Sequence, residues 1–288
     1  MKILVTGSSG YIGSSFVNHF IDKYNFTKFS LLKNPLNSID FENIDTVLHC
    51  AALVHQKIHH PYKEYVEVNV NYPVLLAKKA KENGAKQFIF ISTIAVYGSE
   101  NRLLKESTVC TPETPYGKSK LEAEKLLQEL ESDTFRVSII RPSMVYGKDA
   151  PGNMDLLVKL VKKVSFLPFG KIENRRSFVY IGNLCHLMDV LIQKQQRGVF
   201  LASDDNSLST TRLIELISYT LDKKIYLVKV PFFNVLLKML KPSFHKRLYE
   251  SLEVDNSFTK KVLGLKNPYD AEAGIRFMIS GEDSLNSK

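Results

Sequence analysis

Tyr116 and Lys120 have the residue types and the spacing for acid–base chemistry. They are four positions apart, so on a helix both side chains project from the same face. A tyrosine with its usual pKa of about 10 is a poor base at neutral pH, but an ammonium group held nearby favours its phenolate. The pair would give a proton donor or acceptor beside a fixed positive charge. Because Tyr-x-x-x-Lys often arises by chance, the pair is evidence for a catalytic role only if its position in the fold is right.

A glycine-rich turn near the start of the chain is the second candidate for chemistry. Gly7, Gly10 and Gly13 follow an apolar run at 2–5, and apolar residues then recur with a helical period. Glycines let the backbone turn tightly and let a pyrophosphate approach, while the N-terminus of the next helix attracts its charge. A glycine cluster alone is weak evidence, but its place between a strand and a helix predicts dinucleotide binding.

Alternating strands and helices must position these residues. Tyr116 opens a helix that has Thr114 as its N-cap and Pro115 at its first position. This helix follows a strand whose end carries Ser92 and Thr93, and in a parallel sheet such ends form the ligand crevice. We expect strands at 2–5, 29–32, 46–50, 87–92, 136–140, 199–202 and 224–230, and helices from Tyr11 to Phe20 and at 63–83, 115–130, 154–164 and 179–193, with another capped by Ser209.

This pattern predicts an α/β protein with a Rossmann-type, doubly wound parallel sheet and a smaller C-terminal substrate lobe. We expect residues 1–147 and 176–203 to form the dinucleotide-binding domain, and 148–175 and 204–288 to form an interleaved substrate-binding lobe. A basic amphipathic segment at 231–252 is open to two interpretations. It could touch a membrane surface, but packing of its apolar face into the lobe is favoured by the ordinary behaviour of such helices.

Composition narrows the class of protein. The chain has 288 residues, 44% of them apolar, and no apolar run long enough to span a bilayer, so we expect a soluble, cytoplasmic protein. Its net charge of +9 is not accompanied by a recognisable nucleic-acid-binding module, so nucleic acid is not an expected partner. Such a charge could instead attract anionic ligands. The three cysteines and seven histidines show no spacing typical of a disulfide framework or a metal site.

Several ordered motifs together resemble one enzyme family. The chain is similar to the extended short-chain dehydrogenase/reductases, in the branch of nucleotide-sugar epimerases, dehydratases and reductases. The resemblance covers nearly the whole chain and rests on TGSSGYIG from Thr6, HCAA from His49, VNVN around Asn69, STIAVYG from Ser92, YGKSK from Tyr116, RPSMVYG from Arg141 and RRSFVYIGNL from Arg175.

The resemblance implies a role for each matching residue. Tyr116 would be the general acid/base, Thr93 would hydrogen-bond the reacting sugar oxygen, and Lys120 would bind the nicotinamide ribose and lower the tyrosine pKa. Arg176 would grip the substrate diphosphate, and Asn153 is a weaker substrate candidate. The implied NAD(P) contacts are Gly7, Gly10, Tyr11, Ile12, Gly13, Asp40, Ala51, Ala52 and Asn69, together with Tyr116 and Lys120. A UDP-linked sugar substrate and a homodimer are also implied, whereas Met144 stands where many relatives carry a polar residue.

The motifs leave the member of this branch open. Thr93-Ile94-Ala95 replaces the Thr-Asp-Glu typical of the dehydratases, which argues against dehydration. A UDP-hexose 4-epimerase with bound NAD and a 4-ketoreductase need the same Tyr, Lys and Thr. Loop likenesses to small reductases of bacterial capsule and O-antigen synthesis favour 4-keto reduction of a UDP-6-deoxy-4-keto-N-acetylhexosamine.

The cofactor preference also rests on a single position. The expected second strand ends at Leu32-Lys33 without the acidic residue that would bind the ribose of NAD, and Lys33 could face a 2′-phosphate, which slightly favours NADPH. A solvated lysine at a strand end explains Lys33 equally well. A catalytically silent dinucleotide sensor is a rival from another class, but such proteins usually lose the Tyr–Lys pair.

Overall fold

A computed structural model describes residues 1–30, 34–54 and 60–281, except for the side chain of Asn153. Within these ranges the strands are β1 (Lys2–Thr6), β2 (Asn25–Phe29), β3 (Thr46–His49), β4 (Gln87–Ile91), β5 (Leu103–Leu104), β6 (Arg136–Pro142), β7 (Met144–Tyr146), β8 (Phe166–Leu167), β9 (Phe178–Tyr180), β10 (Gly198–Ala202), β11 (Tyr226–Leu227) and β12 (Glu253–Val254).

The helices in the same ranges alternate with these strands. They are α1 (Tyr11–His19), α2 (Tyr62–Val66), α3 (Tyr72–Glu82), α4 (Pro115–Gln128), α5 (Asn153–Lys163), α6 (Ile181–Lys194), α7 (Thr210–Thr220), α8 (Phe233–Leu240), α9 (Pro242–Tyr249), α10 (Ser257–Leu263) and α11 (Ala271–Ser280). A π-helical turn, Glu67–Asn71, joins α2 to α3 where the sequence predicted one unbroken helix. None of these helices is long and apolar enough to cross a bilayer.

The main sheet has six parallel strands in the order β10-β6-β4-β3-β1-β2, which confirms the doubly wound fold class. Alternate residues of β1 enter opposite layers: Ile3 and Val5 join the core cluster that contains α1 and α6 residues, whereas Leu4 joins the cluster with α3 and α4 residues. The chain leaves β1 toward β2 on one side and returns to β3 on the other. In open α/β sheets, ligands bind at such a change of direction, beyond the carboxyl ends of the two strands, here β1 and β3.

The predicted second strand was wrong in position. It runs from Asn25 to Phe29, whereas the apolar run after Phe29 had suggested 29–32. Because β2 is an edge strand and is only partly buried, its sequence mixes polar and apolar residues and lacks the pattern of a buried strand. Lys33 lies outside the described residues. Between β2 and β3 the described residues form only a short 3₁₀ turn, Leu36–Ser38, in place of a crossover helix.

The C-terminal half contributes to both regions of the fold. Strand β10 joins the edge of the main sheet, while α5 packs against α7, and β8 and β11 form a small sheet of their own. The Ser209 cap of α7 formed as the sequence predicted, since its Oγ accepts a hydrogen bond from the Arg212 N–H at 3.0 Å. The division at 147/148, 175/176 and 203/204 remains a prediction.

Candidate active site

The glycine turn lies against the loop that follows β3. A Cβ on Gly7, which has a φ of +70°, would lie 2.6 Å from the backbone nitrogen of Ala51, and one on Gly13 would lie 2.3 Å from the Gly7 carbonyl. Gly10 is different, because it is exposed, has an ordinary φ of −80°, and would bring its Cβ no closer than 3.2 Å to the protein. Packing thus explains glycine at 7 and 13 but not at 10, where close approach of a pyrophosphate would require it.

Tyr11, Ile12, Ala51 and Ala52 surround this turn. Tyr11 and Ile12 begin α1 and are half-buried, as are the two alanines that follow β3. Their positions put them at the carboxyl edge of the sheet, where a dinucleotide would lie across the switch point.

Lys120 is a completely buried cation in the middle of α4. Its Nζ has no hydrogen-bond partner among the described residues and lies 3.6 Å from the centroid of the Phe90 ring. Burial lowers the pKa of Lys120 to about 7, although Glu124 acts in the opposite direction. A buried ammonium without hydrogen bonds is costly, so a ligand with acceptor oxygens would fit this position.

Tyr116 lies one turn before Lys120, in the first turn of α4. Thr114 caps this helix as predicted, with its Oγ1 accepting the Gly117 N–H at 3.0 Å. Burial raises the pKa of Tyr116 above its usual value. The resemblance implied that Lys120 lowers the Tyr116 pKa. In the protein without a ligand the pKa is raised instead, because desolvation of the phenol is the dominant effect.

Thr93 is held close to the start of α4. Its Oγ1 accepts the Ala95 N–H at 3.1 Å, which leaves its own hydroxyl hydrogen available for another acceptor. Gly117 packs so tightly on this segment that a Cβ there would lie 2.7 Å from the Ala95 carbonyl oxygen. The turn carrying Thr93 and the turn carrying Tyr116 are thereby fixed against each other.

Asn69, which the resemblance placed along the cofactor channel, is fully buried, and its side-chain amide is engaged within the protein. Its Oδ1 accepts the Leu53 N–H at 2.8 Å, and its Nδ2 donates to the Leu53 carbonyl at 2.9 Å and to Ser119 Oγ at 3.0 Å. It therefore ties the loop after β3 to α4, next to Lys120. The π-helical turn that carries Asn69 is a feature often found at functional sites.

A buried charge network behind Lys120 was missed in the sequence. Glu124 accepts hydrogen bonds from Ser92 and, at 2.5 to 3.2 Å, from Arg141, whose Nη1 also donates to the Tyr97 hydroxyl at 2.7 Å. Both charged side chains are less than a tenth exposed. The signal was available: positions 116, 120 and 124 share one face of a helix.

Arg176 lies in the wall of a largely apolar cavity of about 280 Å³, which we call the lobe cavity. Its Nη1 donates to the carbonyl oxygens of Glu250 at 3.0 Å and Lys246 at 3.4 Å, and burial lowers its pKa. Arg247, which the sequence reasoning also missed, lines the same cavity. The other lining residues are mostly Leu, Met and Phe, among them Leu156, Leu208, Phe244 and Leu248. Met144, which stands where many relatives carry a polar residue, is one of them. Asn153 is the first residue of α5.

Asp40 is not brought to this site. Its carboxylate accepts the Glu42 N–H at 2.9 Å, and it lines a surface hollow with Lys79 and Asn83 at the end of α3. The neighbouring Glu42 carbonyl accepts from Lys2 at the start of β1. These contacts place Asp40 at the amino edge of the sheet, opposite the glycine turn, so the expected contact with adenine was wrong.

The donor set fits a nicotinamide dinucleotide. Gly10 is exposed at the N-terminus of α1, where a pyrophosphate would bind, and the unpaired Lys120 ammonium offers donors for ribose hydroxyls. Within the described ranges, no group of three or more His, Cys, Asp or Glu side chains is arranged to hold a metal ion.

Comparisons with known proteins agree with this geometry. Residues 3–201 match the model of the NAD dependent epimerase/dehydratase family. The chain is 37% identical over 306 aligned positions to a UDP-glucose 4-epimerase of Vibrio cholerae, covering 96% of this chain and 93% of the relative. It is 27% identical to an N-acetyl-alpha-D-glucosaminyl-diphospho-ditrans,octacis-undecaprenol 4-epimerase of Escherichia coli O157:H7, covering 80% and 76% of the two chains.

A solved structure confirms the fold. UDP-glucuronic acid 4-epimerase of Bacillus cereus, in complex with NAD, superimposes with a TM-score of 0.77 at 20% identity over 99% of this chain and 100% of the other. The family model, the 37% identical relative and this likeness of fold lead to one conclusion: the chain is an enzyme that belongs to the NAD dependent epimerase/dehydratase family.

Proposed function

We propose that this enzyme is a 4-epimerase of UDP-linked hexoses that works with bound NAD. The observation that carries the proposal is the buried Lys120 ammonium, which has no hydrogen-bond partner in the described chain, one helical turn after Tyr116. When bound, NAD supplies a hydride acceptor and then a hydride donor at its nicotinamide ring. The residues of the chain supply everything else.

Each residue has a defined task in this proposal. Tyr116 removes the proton of the sugar 4-hydroxyl and later returns it, and Thr93 donates a hydrogen bond from its free hydroxyl to the same oxygen. Lys120 donates to the ribose hydroxyls. Since these acceptors favour the ammonium form, ligand binding raises the Lys120 pKa from about 7 and strengthens the positive charge that favours the tyrosine phenolate.

The identity of the relatives supports epimerisation over the 4-keto reduction that the sequence features favoured. The proteins named above in the comparisons are 4-epimerases, and two of them match nearly the whole chain. NAD is the cofactor named in the superimposed structure. A preference for NADPH rested on Lys33, which lies outside the described residues. A catalytically silent dinucleotide sensor is less well supported, because such proteins usually lose the Tyr–Lys pair and this chain has Tyr116, Lys120 and Thr93.

Two arginines support a diphosphate-linked substrate. Arg176 and Arg247 both line the lobe cavity. A guanidinium fork matches the oxygens of a diphosphate. The remaining wall is apolar and suits a nucleobase or another flat or apolar group.

The test is conversion of UDP-glucose, and separately of UDP-N-acetylglucosamine, by the purified enzyme. We expect the 4-epimer to accumulate without net oxidation or reduction of nicotinamide. Tyr116→Phe should lower turnover by about 10² to 10⁴ while leaving NAD binding intact. Unchanged turnover in this variant would show that Tyr116 is not the group that transfers the proton. Stoichiometric use of reduced cofactor on a 4-keto sugar, without epimerisation, would restore the reductase.

A polyprenyl-diphosphate-linked hexose is a second candidate substrate. The apolar wall of the cavity favours it. Arg176 and Arg247 can bind a diphosphate, and Thr210 is the remaining polar residue in the described lining that could hydrogen-bond to uracil. The substrate of the Escherichia coli relative is of this kind, as its name states. Parallel assays with N-acetylglucosamine linked through diphosphate to UDP or to undecaprenol would decide between the two by their kcat/KM values.

A further inference from the structure

The α8–α9 hairpin, residues 232–249, exposes apolar side chains where the sequence had favoured burial. Neither helix contains a buried residue. Phe232, Met239 and Leu240 are 82%, 78% and 70% exposed. Only Phe233 and Leu237 of α8 are half-buried, with the Phe233 ring centroid 6.2 Å from that of Phe169. The expectation that the apolar face of this segment packs inward therefore holds for a few residues, among them Phe233, Leu248 and Tyr249, and fails for the rest of α8.

The exposed apolar residues lie on one side of α8. Val235, Leu236, Met239 and Leu240 have the spacing i, i+1, i+4 and i+5, which places them on a single face. All four are more than half exposed. Contiguous apolar surface of this kind marks an interaction site in a folded protein.

The surrounding charge indicates the partner. From Lys223 to Tyr249 the chain has six lysines, one arginine and no acidic residue, a net +7 out of +9 for the whole chain. Lys229, Lys238 and Lys241 are exposed and have no carboxylate partner among the described residues. Apolar side chains with a lysine-rich surround are typical of helices that lie at a membrane surface, where ammonium groups meet anionic headgroups.

A second copy of the chain fits this surface less well. A twofold interface places the same patch against itself, so it would bring the uncompensated lysines of one hairpin onto those of the other. Like charges at such an interface oppose association. An anionic bilayer both buries the apolar face and neutralises the lysines.

We propose that the α8–α9 hairpin docks the protein onto an anionic bilayer, lying in the interface without crossing it. Helix α9 also supplies Phe244, Arg247 and Leu248 to the wall of the lobe cavity, so docking holds the substrate side of the enzyme at the membrane. The docking stands whether the reacting sugar is linked to UDP or to a lipid.

Vesicle sedimentation with the full-length enzyme tests the proposal. We expect binding to vesicles of phosphatidylethanolamine and phosphatidylglycerol, and much weaker binding to phosphatidylcholine vesicles. The triple variant Phe232→Ser/Met239→Ser/Leu240→Ser and the double variant Lys238→Glu/Lys241→Glu should each lower the partition coefficient by about tenfold or more. The matched controls, Ile21→Ser for an exposed apolar residue and Lys28→Glu/Lys78→Glu for exposed lysines, should bind as the wild type does.

The absence of tryptophan from the chain allows a second, local readout. Leu240→Trp should show a blue shift of its fluorescence on addition of the anionic vesicles, whereas Ile21→Trp should not. Epimerase activity on a soluble UDP-sugar should be unchanged in the triple variant, which verifies that it folds.

Two results would overturn the proposal. One is a wild-type protein that stays in the supernatant with anionic vesicles, or a triple variant that sediments equally with them. The other is a change of oligomeric state in the triple variant, measured by light scattering, together with unchanged vesicle binding. That result would assign the hairpin to contacts between copies of the chain.

Discussion

The Nζ atom of Lys120 lies 3.6 Å from the centroid of the Phe90 ring and has no hydrogen-bond partner among the described residues. The ring face gives the ammonium some electrostatic stabilisation. It cannot replace the hydrogen bonds that water gives an exposed lysine, and burial lowers the Lys120 pKa to about 7. The protein thus carries an unsatisfied cation that a bound ligand can satisfy.

Removing this cation should stabilise the ligand-free protein. The folded-state pKa of about 7 is below the ordinary value of 10.5, so the cost of the buried charge is fully present below pH 7 and is relieved as pH rises toward 10.5. Lys120→Met should therefore raise the unfolding free energy by about 2 to 4 kcal/mol at or below pH 7, and by progressively less above it. Denaturant unfolding of NAD-free protein at several pH values measures this. A less stable variant at pH 7 would contradict it.

NAD binding should take up a proton above pH 7. Ribose hydroxyls that accept from Lys120 favour its charged form, so affinity should fall as pH rises, by up to about tenfold per unit. The adjacent His49 and Cys50 have pKa values of about 3 and about 12, so neither titrates between pH 7 and pH 10.5, where Lys120 takes up the proton. Calorimetry in two buffers of different ionisation enthalpy counts the proton. Lys120→Met should bind NAD more weakly and lose this uptake; if it keeps the same uptake, another group is responsible.

Gly10 and Gly13 should respond differently to the same substitution. Gly10→Ala puts its Cβ 3.2 Å from the Gly7 carbonyl, so the protein should fold with a loss below about 1 kcal/mol but bind NAD at least about tenfold more weakly. Gly13→Ala puts its Cβ 2.3 Å from the same oxygen and should destabilise the fold itself, by about 1 to 3 kcal/mol. Thermal unfolding without ligand and NAD titration separate the two effects. Normal NAD affinity in Gly10→Ala would argue against a pyrophosphate at this turn.

Glu124→Gln should destabilise the protein by about 3 to 5 kcal/mol, because it leaves the buried Arg141 without its carboxylate. It should also weaken NAD binding, since Glu124 favours the charged form of Lys120. Glu131→Gln is the control, because it breaks the partly exposed pair with Arg197 and should cost less than about 1 kcal/mol. Equal unfolding free energies for the two variants would show that the buried pair has no special role.

Arg176→Met should raise the KM for a UDP-sugar by about 10-fold or more, with a smaller change in kcat, if it grips the diphosphate in ground state and transition state alike. The neighbouring Arg175 is a matched control. It is exposed and paired with Glu253 at 2.8 Å, so Arg175→Met should leave KM nearly unchanged. A larger rise in KM for Arg175→Met than for Arg176→Met would indicate that Arg175 binds the diphosphate.

Local patterns were sufficient for much of the fold and of the candidate site. The periodicities of β1 and α4, the Thr114 cap and the Gly7–Gly13 spacing are short-range properties, because they depend on residues within one or two turns. They located the turn, the strand end at Thr93 and the helix bearing Tyr116 and Lys120. The failure at β2 has the same origin: an edge strand contacts one neighbouring strand, so its sequence has little pattern to read.

Tertiary structure alone decided the rest. Whether Asp40 reaches the cofactor depends on which edge of the sheet its loop occupies, and the partners of the Asn69 amide depend on the packing of α4 near the loop after β3. The pKa of Lys120 is set mainly by its burial, which depends on elements that are distant from it in the chain. The amphipathic pattern of α8 fixed that it has an apolar face, but only the position of the lobe determined that this face points outward, because burial is a property of the assembled fold.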